Sequence, residues 1–308
     1  MAIVKTDVPM TSQRSHETVL ALAARYPSIS TRVLAETDFG RPIDLMTMGQ
    51  GERKVIFSAA HHANEWITAP ILLKFAEELA QALEDGGRIF GVPAATLRDA
   101  ATIYIVPMVD PDGVDLVTGA TAPGSAQYER ARAMAVNYPA IPFPDGWKAN
   151  LNGVDLNLQY PAGWLRAREI KFSQGFTRPG PRDYVGRAPL DQRESRAMAR
   201  LTAEVDPAMV LAFHSQGEVI YWQFGDIEVP DARRYGEEFA RLSGYALAET
   251  PFESSFAGYK DWFIQNFRRP GYTIEVGQGE NPLPLEQFDK IYQDTLGILV
   301  TAATGLPG

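Results

Sequence analysis

Ser58-Ala59-Ala60-His61-His62-Ala63-Asn64-Glu65-Trp66 follows directly on an apolar run, Val55-Ile56-Phe57. The run reads as a short buried strand, and the segment after it sets a His and a Glu three residues apart. Three residues are about one helical turn, so both side chains can aim at one point if a turn or helix begins here. A neutral imidazole and a carboxylate converging in this way are two ligands of a catalytic zinc site, with a distant His as the third and a fourth position open. The chain has four histidines, His16, His61, His62 and His214. His61 lies four residues from Glu65 and meets the same geometric condition as His62. A loop His beside a solvated Glu at a helix start also fits the pattern. Spacing alone leaves these readings open. His214 closes a second apolar run, Leu211-Ala212-Phe213, where open α/β sheets carry their functional residues.

Outward from these two runs, strands are expected at residues 30–37, 43–48, 55–59, 102–108, 209–214 and 272–276. Helical periodicity predicts helices at 11–26, 65–83, 191–205, 231–242 and 285–304, the first capped by Ser12 or Ser15. Phe39-Gly40-Arg41-Pro42 and Asp110-Pro111-Asp112-Gly113 read as turns. Short apolar strands alternating with longer helices predict a mixed sheet covered on both faces, in one α/β domain over residues 1–308. Residues 119–187 are rich in Gly, Pro, Asn and aromatics and lack periodicity, so an irregular binding segment is expected there.

Composition narrows the function. Net charge is −9 and no Lys/Arg block occurs, which removes the electrostatic basis for a nucleic-acid role. Cysteine is absent, so disulfides and thiolate metal sites are excluded and any zinc must be held by His, Asp or Glu. No segment approaches the run of about 20 apolar residues that spans a bilayer, so no membrane segment is expected. Met1 to Pro9 contains no apolar signal core, and a cytoplasmic protein is the expectation. Oligomeric state is not legible.

Glu275 stands between Ile274 and Val276 in an expected strand. Alternation could simply turn it to solvent. A carboxylate beside an activated water can instead take its proton and pass it to a leaving amine, as a general base and then a general acid.

Taken together, these segments resemble the zinc carboxypeptidase family, the metallopeptidases related to carboxypeptidase A. Gly40-Arg41-Pro42-Ile43, His62-Ala63-Asn64-Glu65-Trp66, Asp110-Pro111-Asp112-Gly113, Gly153-Val154-Asp155-Leu156-Asn157, Phe213-His214-Ser215 and the segment around Glu275 occur in the family's order, over roughly residues 12 to 300. The resemblance implies a single-domain fold with an eight-stranded mixed, twisted sheet and helices on both faces. It implies one zinc ion at the C-terminal edge of the central strands, held by His62, Glu65 and His214, with Glu275 as catalytic acid–base. Lys148 follows Trp147 where the family has an Arg that stabilises the oxyanion, and a Lys keeps the charge without the fork.

Two departures bear on substrate. The family's Asn-Arg is Asn157-Leu158 here, and Leu cannot fork onto a terminal carboxylate. The active-site Tyr of the family falls near residues 252–259, where Phe252 lacks a hydroxyl and Tyr259 is shifted. The stretches 154–162, 257–264 and 268–284 resemble the γ-D-glutamyl-L-diamino acid endopeptidase branch, which cleaves between D-Glu and meso-diaminopimelate or Lys in bacterial cell-wall peptides. In that branch the Arg is usually an Asp, which Leu158 also departs from. A murein-derived peptide is the implied substrate, with Asn157, Leu158 and Tyr259 as candidate binding residues. Arg166, Arg168, Arg182 and Arg187 are candidates for substrate carboxylates that the sequence does not rank. The alternatives are a carboxypeptidase releasing C-terminal residues, a deacylase of a small acylated amine, and a non-catalytic module binding cell-wall peptides.

Overall fold

The computed structural model describes residues 2–306. Its strands are β1 Ile29–Glu36, β2 Pro42–Gly49, β3 Arg53–Ala59, β4 Arg88–Ile89, β5 Val92–Pro93, β6 Ala101–Val106, β7 Met209–Ser215, β8 Val219–Tyr221, β9 Ala246–Ala248 and β10 Gly271–Val276. The helices are α1 Ser12–Arg25, α2 Thr68–Asp85, α3 Ala94–Ala100, α4 Pro111–Val117, α5 Ala126–Ala135, α6 Trp164–Ser173, α7 Arg193–Val205, α8 Ala232–Ser243, α9 Tyr259–Phe267 and α10 Phe288–Thr304. Eight strands form one sheet in the order β1-β2-β6-β3-β7-β10-β8-β9, while β4 and β5 make a small hairpin. The central strands β6, β3, β7 and β10 are parallel; β1, β2 and β8 add antiparallel pairings around them.

Strands buried on both faces need apolar residues at nearly every position, and alternation divides those residues between two cores. Val55, Phe57 and Ala59 of β3 and Met209, Leu211 and Phe213 of β7 enter one cluster, closed by Val19, Leu72, Leu97, Phe239 and Ile298 from α1, α2, α3, α8 and α10. Ile56, Val210 and Ala212 enter the other, closed by Met198 and Leu201 of α7 and Phe263 of α9. The expected single-domain mixed sheet is therefore present, and among the described residues no helix is long and apolar enough to cross a membrane.

Local expectations are corrected at four places. Thr11, not Ser12 or Ser15, caps α1, its hydroxyl accepting from Arg14 N–H; the Ser12 hydroxyl donates to Asp115 at 2.6 Å instead. The helix expected from residue 65 starts at Thr68, after a separate 3-10 turn, Ala63–Glu65. Asp110-Pro111-Asp112-Gly113 is the first turn of α4, with Asp110 as cap and Pro111 at a position that needs no N–H donor. Residues 119–187 contain α5 and α6, which bury only Ala131 and Ala135, and Trp164, Ala167 and Lys171. Helices that bury so little leave no apolar stripe in the sequence.

Candidate active site

β3, β7 and β10 lie side by side and end at one edge of the sheet. Beyond β3, Ala60 takes a left-handed conformation (φ 48°) and turns the chain, its N–H held by Thr68 Oγ1 at 2.9 Å. His62 and Glu65 follow on the 3-10 turn, which the Thr68 hydroxyl clamps by donating to Glu65 O at 2.7 Å. On β7, His214 is the direct register partner of Glu275 on β10, so both side chains leave the same face. His62 Nδ1 stands 2.9 Å from Glu65 Oε1, while His214 Nδ1 stands 2.9 Å from Glu65 Oε2 and 3.2 Å from His62 Nδ1. All three side chains are buried.

A second layer orients these groups. His62 Nε2 meets Asp155 Oδ1 at 3.0 Å, which points the opposite ring nitrogen toward Glu65 and His214. Asp155 also accepts from the main-chain N–H of Asn157 (3.1 Å) and of Asp183 (3.3 Å). Lys148 Nζ lies 3.0 Å from Glu65 Oε1. Burial acts to raise the Glu65 and Asp155 carboxyls, but the His62 ring and the Lys148 ammonium outweigh it and hold both below their ordinary range. Burial acts to lower Lys148, and Glu65 and Asp155 overcome it and raise the ammonium. His61 is not at the convergent point. It is fully buried and stacked between His214 and Tyr259, with ring centroids 5.5 and 5.6 Å away. Burial and the neighbouring His214 hold it well below an ordinary imidazole, so it is neutral.

The cleft over this centre has two lobes of ≈ 380 and ≈ 680 Å³ that share Lys148, Arg182, Tyr221 and Glu275. Asn157, Leu158, Thr273 and Lys260 line the first lobe; Asn64, Ile141, Ser215 and Asn281 line the second. Burial, and then the charge of Glu65, pushes the Glu275 carboxyl up to about 8. Leu158 packs with Trp164, Ala167, Val185 and Ala257 behind the lobe wall. Asn157 Oδ1 accepts from Tyr259 N–H at 3.0 Å. The expectation for Tyr259 as a substrate-binding residue is corrected. Its ring is fully buried and its hydroxyl lies 2.7 Å from Thr202 Oγ1, because α9 turns it into the core rather than to the cleft.

Residues 16–297 match the zinc carboxypeptidase family. The chain belongs to this family. It is 44% identical over 279 residues to γ-D-glutamyl-L-diamino acid endopeptidase 1 of Lysinibacillus sphaericus, a match covering 91% of this chain and 68% of that protein. Among solved structures, bovine thrombin-activatable fibrinolysis inhibitor superposes with a TM-score of 0.73 at 14% identity, covering 97% of both chains. The murein-tripeptide amidase MpaA of Escherichia coli O157 superposes with a TM-score of 0.55 at 17% identity, covering 90% of this chain and 93% of that one. These structural likenesses show the zinc carboxypeptidase fold.

The donor set fits the family's zinc. Two imidazole Nδ1 atoms and a carboxylate converge within 4.8 Å of one another. Ligands of a tetrahedral zinc stand roughly 3.3 Å apart, given zinc–ligand distances of about 2.0–2.1 Å. The two Nδ1 atoms stand 3.2 Å apart, and each stands 2.9 Å from a Glu65 oxygen, close to that spacing. The protein is thus a zinc metallopeptidase of one metal ion, for which His62, Glu65 and His214 are the holding residues that the geometry offers.

Several residues of this site carry a weak signal or none in the sequence. Asp155 lies within Gly153-Val154-Asp155-Leu156-Asn157, and that motif is the signal for it. Tyr221 comes from the short strand β8, next to the sheet edge, and reaches both lobes, with no pattern in the chain to mark it. Arg182 stood unranked among four arginines; only the fold distinguishes it.

Proposed function

We propose that this protein hydrolyses the amide between the γ-carboxyl of D-glutamate and a diamino acid in peptidoglycan stem peptides. The similarity to an endopeptidase of that name across 91% of this chain carries the reading. The cleft supports it. An enzyme that cuts inside a peptide needs room on both sides of the scissile bond, and here two lobes meet at Glu275. Leu158 stands where a carboxypeptidase needs a guanidinium to seize the terminal carboxylate, which disfavours release of single C-terminal residues.

Zinc, when bound, supplies Lewis-acid polarisation of the scissile carbonyl and of water. Asp155 holds His62 in the tautomer that frees Nδ1 for the ligand point. Glu275, at the meeting of the lobes, takes the proton of the attacking water and returns it to the leaving amine. Its partial burial keeps the carboxyl able to carry that proton between the two steps. Lys148 presents its ammonium to the oxygen that gains charge as the carbonyl is attacked. Leu158, backed by its apolar cluster, and Asn157 line the first lobe.

Digestion of L-Ala-γ-D-Glu-meso-diaminopimelate and the corresponding Lys peptide, followed by mass spectrometry, tests this. The expected products are L-Ala-D-Glu and the free diamino acid or its peptide. Release of C-terminal residues from ordinary L-peptides, with the γ-linked bond untouched, overturns the proposal.

A further inference from the structure

Among the described residues, Arg182 is the arginine that lines both lobes of the cleft. Of the four arginines in the loop segment, Arg166 pairs with Glu169 at 3.0 Å, and Arg168 lies over Trp164 and Phe172. Arg187 lines neither lobe, whereas Arg182 lines both. Its Nε donates to Asp183 Oδ2 at 2.7 Å, and its terminal nitrogens make no hydrogen bond among the described residues. A guanidinium tied at Nε retains its end-on pair of N–H donors, the geometry that takes a carboxylate on two parallel bonds. Lys171 holds the other oxygen of Asp183 at 2.7 Å, so two cations share one anion and the trio keeps one positive charge.

The position of Arg182 is fixed to the chemistry. Pro181 O accepts from Lys148 N–H (2.7 Å) and Ala149 N–H (2.9 Å). Asp183 sits in a left-handed conformation (φ 62°) and donates its N–H to Asp155 Oδ2, whose other oxygen holds His62. Strained backbone held from both sides is found where a side chain must be aimed. The residues flanking Arg182 are therefore bonded to the oxyanion candidate on one side and to the ligand-orienting carboxylate on the other.

A γ-linked D-glutamyl residue differs from an ordinary one in keeping its α-carboxylate. That group lies four carbon–carbon bonds from the scissile carbonyl carbon. We infer that Arg182 binds this free α-carboxylate and makes the enzyme select D-glutamyl over D-isoglutaminyl peptides, in which the same group is an uncharged amide. The inference rests on the proposed function and adds to it the residue that reads the acyl side of the bond.

The test compares kcat/KM for L-Ala-γ-D-Glu-meso-diaminopimelate and L-Ala-γ-D-isoglutaminyl-meso-diaminopimelate. Wild type is expected to prefer the acid about 10- to 100-fold, the range of a hydrogen-bonded charge pair. Arg182→Gln should raise KM for the acid and bring the ratio close to one, with zinc content equal to wild type as the check on folding. Arg182→Lys, which keeps the charge without the fork, should retain only part of the preference. An undiminished preference in either variant overturns the inference, as does a wild type that cuts both peptides equally; in that last case the proposed function still stands. A wild type that cuts neither peptide overturns the proposed function and this inference with it.

Discussion

The active site is built from two halves of different origin. His62, Glu65, His214 and Glu275 come from the ends of three adjacent parallel strands and the turn after one of them. Lys148, Asp155, Asn157, Leu158 and Arg182 come from the long segment between α4 and α7. The first half rests on two apolar cores. The second is held by buried polar side chains: Asn150 bonds Gln192 and Glu194, and Gln159 bonds Val185 O and Gln192 N–H. Strand ends fix atoms for a reaction that does not change, whereas loops on a polar scaffold alter at small cost to the fold and so carry substrate choice.

The sharpest division between the halves comes from Glu275→Gln. The strand-end half should lose its proton carrier alone, with kcat falling about 10²- to 10⁴-fold. Zinc content and substrate affinity should hold, since neither the ligands nor the loop contacts change. Wild-type turnover in this variant would mean the acid–base group lies in the loop half, and the division fails.

That division also governs what could be read from the chain. Val55–Phe57 and Leu211–Phe213 are legible as strands because burial on both faces forces apolar residues at each position. Ligands at their ends inherit that legibility. Nothing comparable marks the loop half. Asn150 and Gln159 are ordinary polar residues in sequence, and their roles exist only when distant backbone groups arrive. Tyr259 shows the cost of reading such a region by position. A helix capped by Gly258, with Asp261 accepting the Gly258 N–H, turns the Tyr259 ring into the core, and alignment by offset does not contain that rotation. Arg182 is the converse, one of several arginines in the string and distinguished only by its neighbours in space.

Glu194 tests the polar scaffold without touching the chemistry. It is buried with Asn150 donating to it at 3.2 Å, and burial raises its carboxyl from 4.5 to about 7. The folded state therefore holds this proton more tightly than the unfolded chain. Stability from it is complete below about 4.5 and lost as pH rises through about 7, with a total of about 3 kcal/mol. Glu194→Gln keeps an oxygen for Asn150 and has no charge to expose. Its stability should match wild type near pH 4 and exceed it by up to about 3 kcal/mol at pH 8, read from urea midpoints at both pH values. Equal pH dependence in the two proteins would show that this carboxyl does not limit the scaffold.

Asp155 belongs to both halves, holding His62 with one oxygen and Asp183 N–H with the other. Asp155→Asn should weaken zinc affinity or activity about 10- to 100-fold, the usual effect of removing a carboxylate behind a His ligand. Zinc titration against a competing chelator measures the first. If only substrate preference shifts while zinc affinity holds, Asp155 serves the loops alone and the halves are less coupled than their hydrogen bonds imply.

The smallest effect is expected at Tyr259, and it separates a residue near the site from one within it. Its hydroxyl lies 2.7 Å from the Thr202 hydroxyl in the second core. Tyr259→Phe removes that contact but leaves Thr202 bonded to Met198 O at 2.8 Å, so no buried group is orphaned. The loss should be about 0.5–1.5 kcal/mol of stability, with kcat and KM on γ-linked peptides unaltered. A rise in KM, with stability unchanged, would place the phenol at the substrate and return to the loop half a residue that the fold assigns to the core.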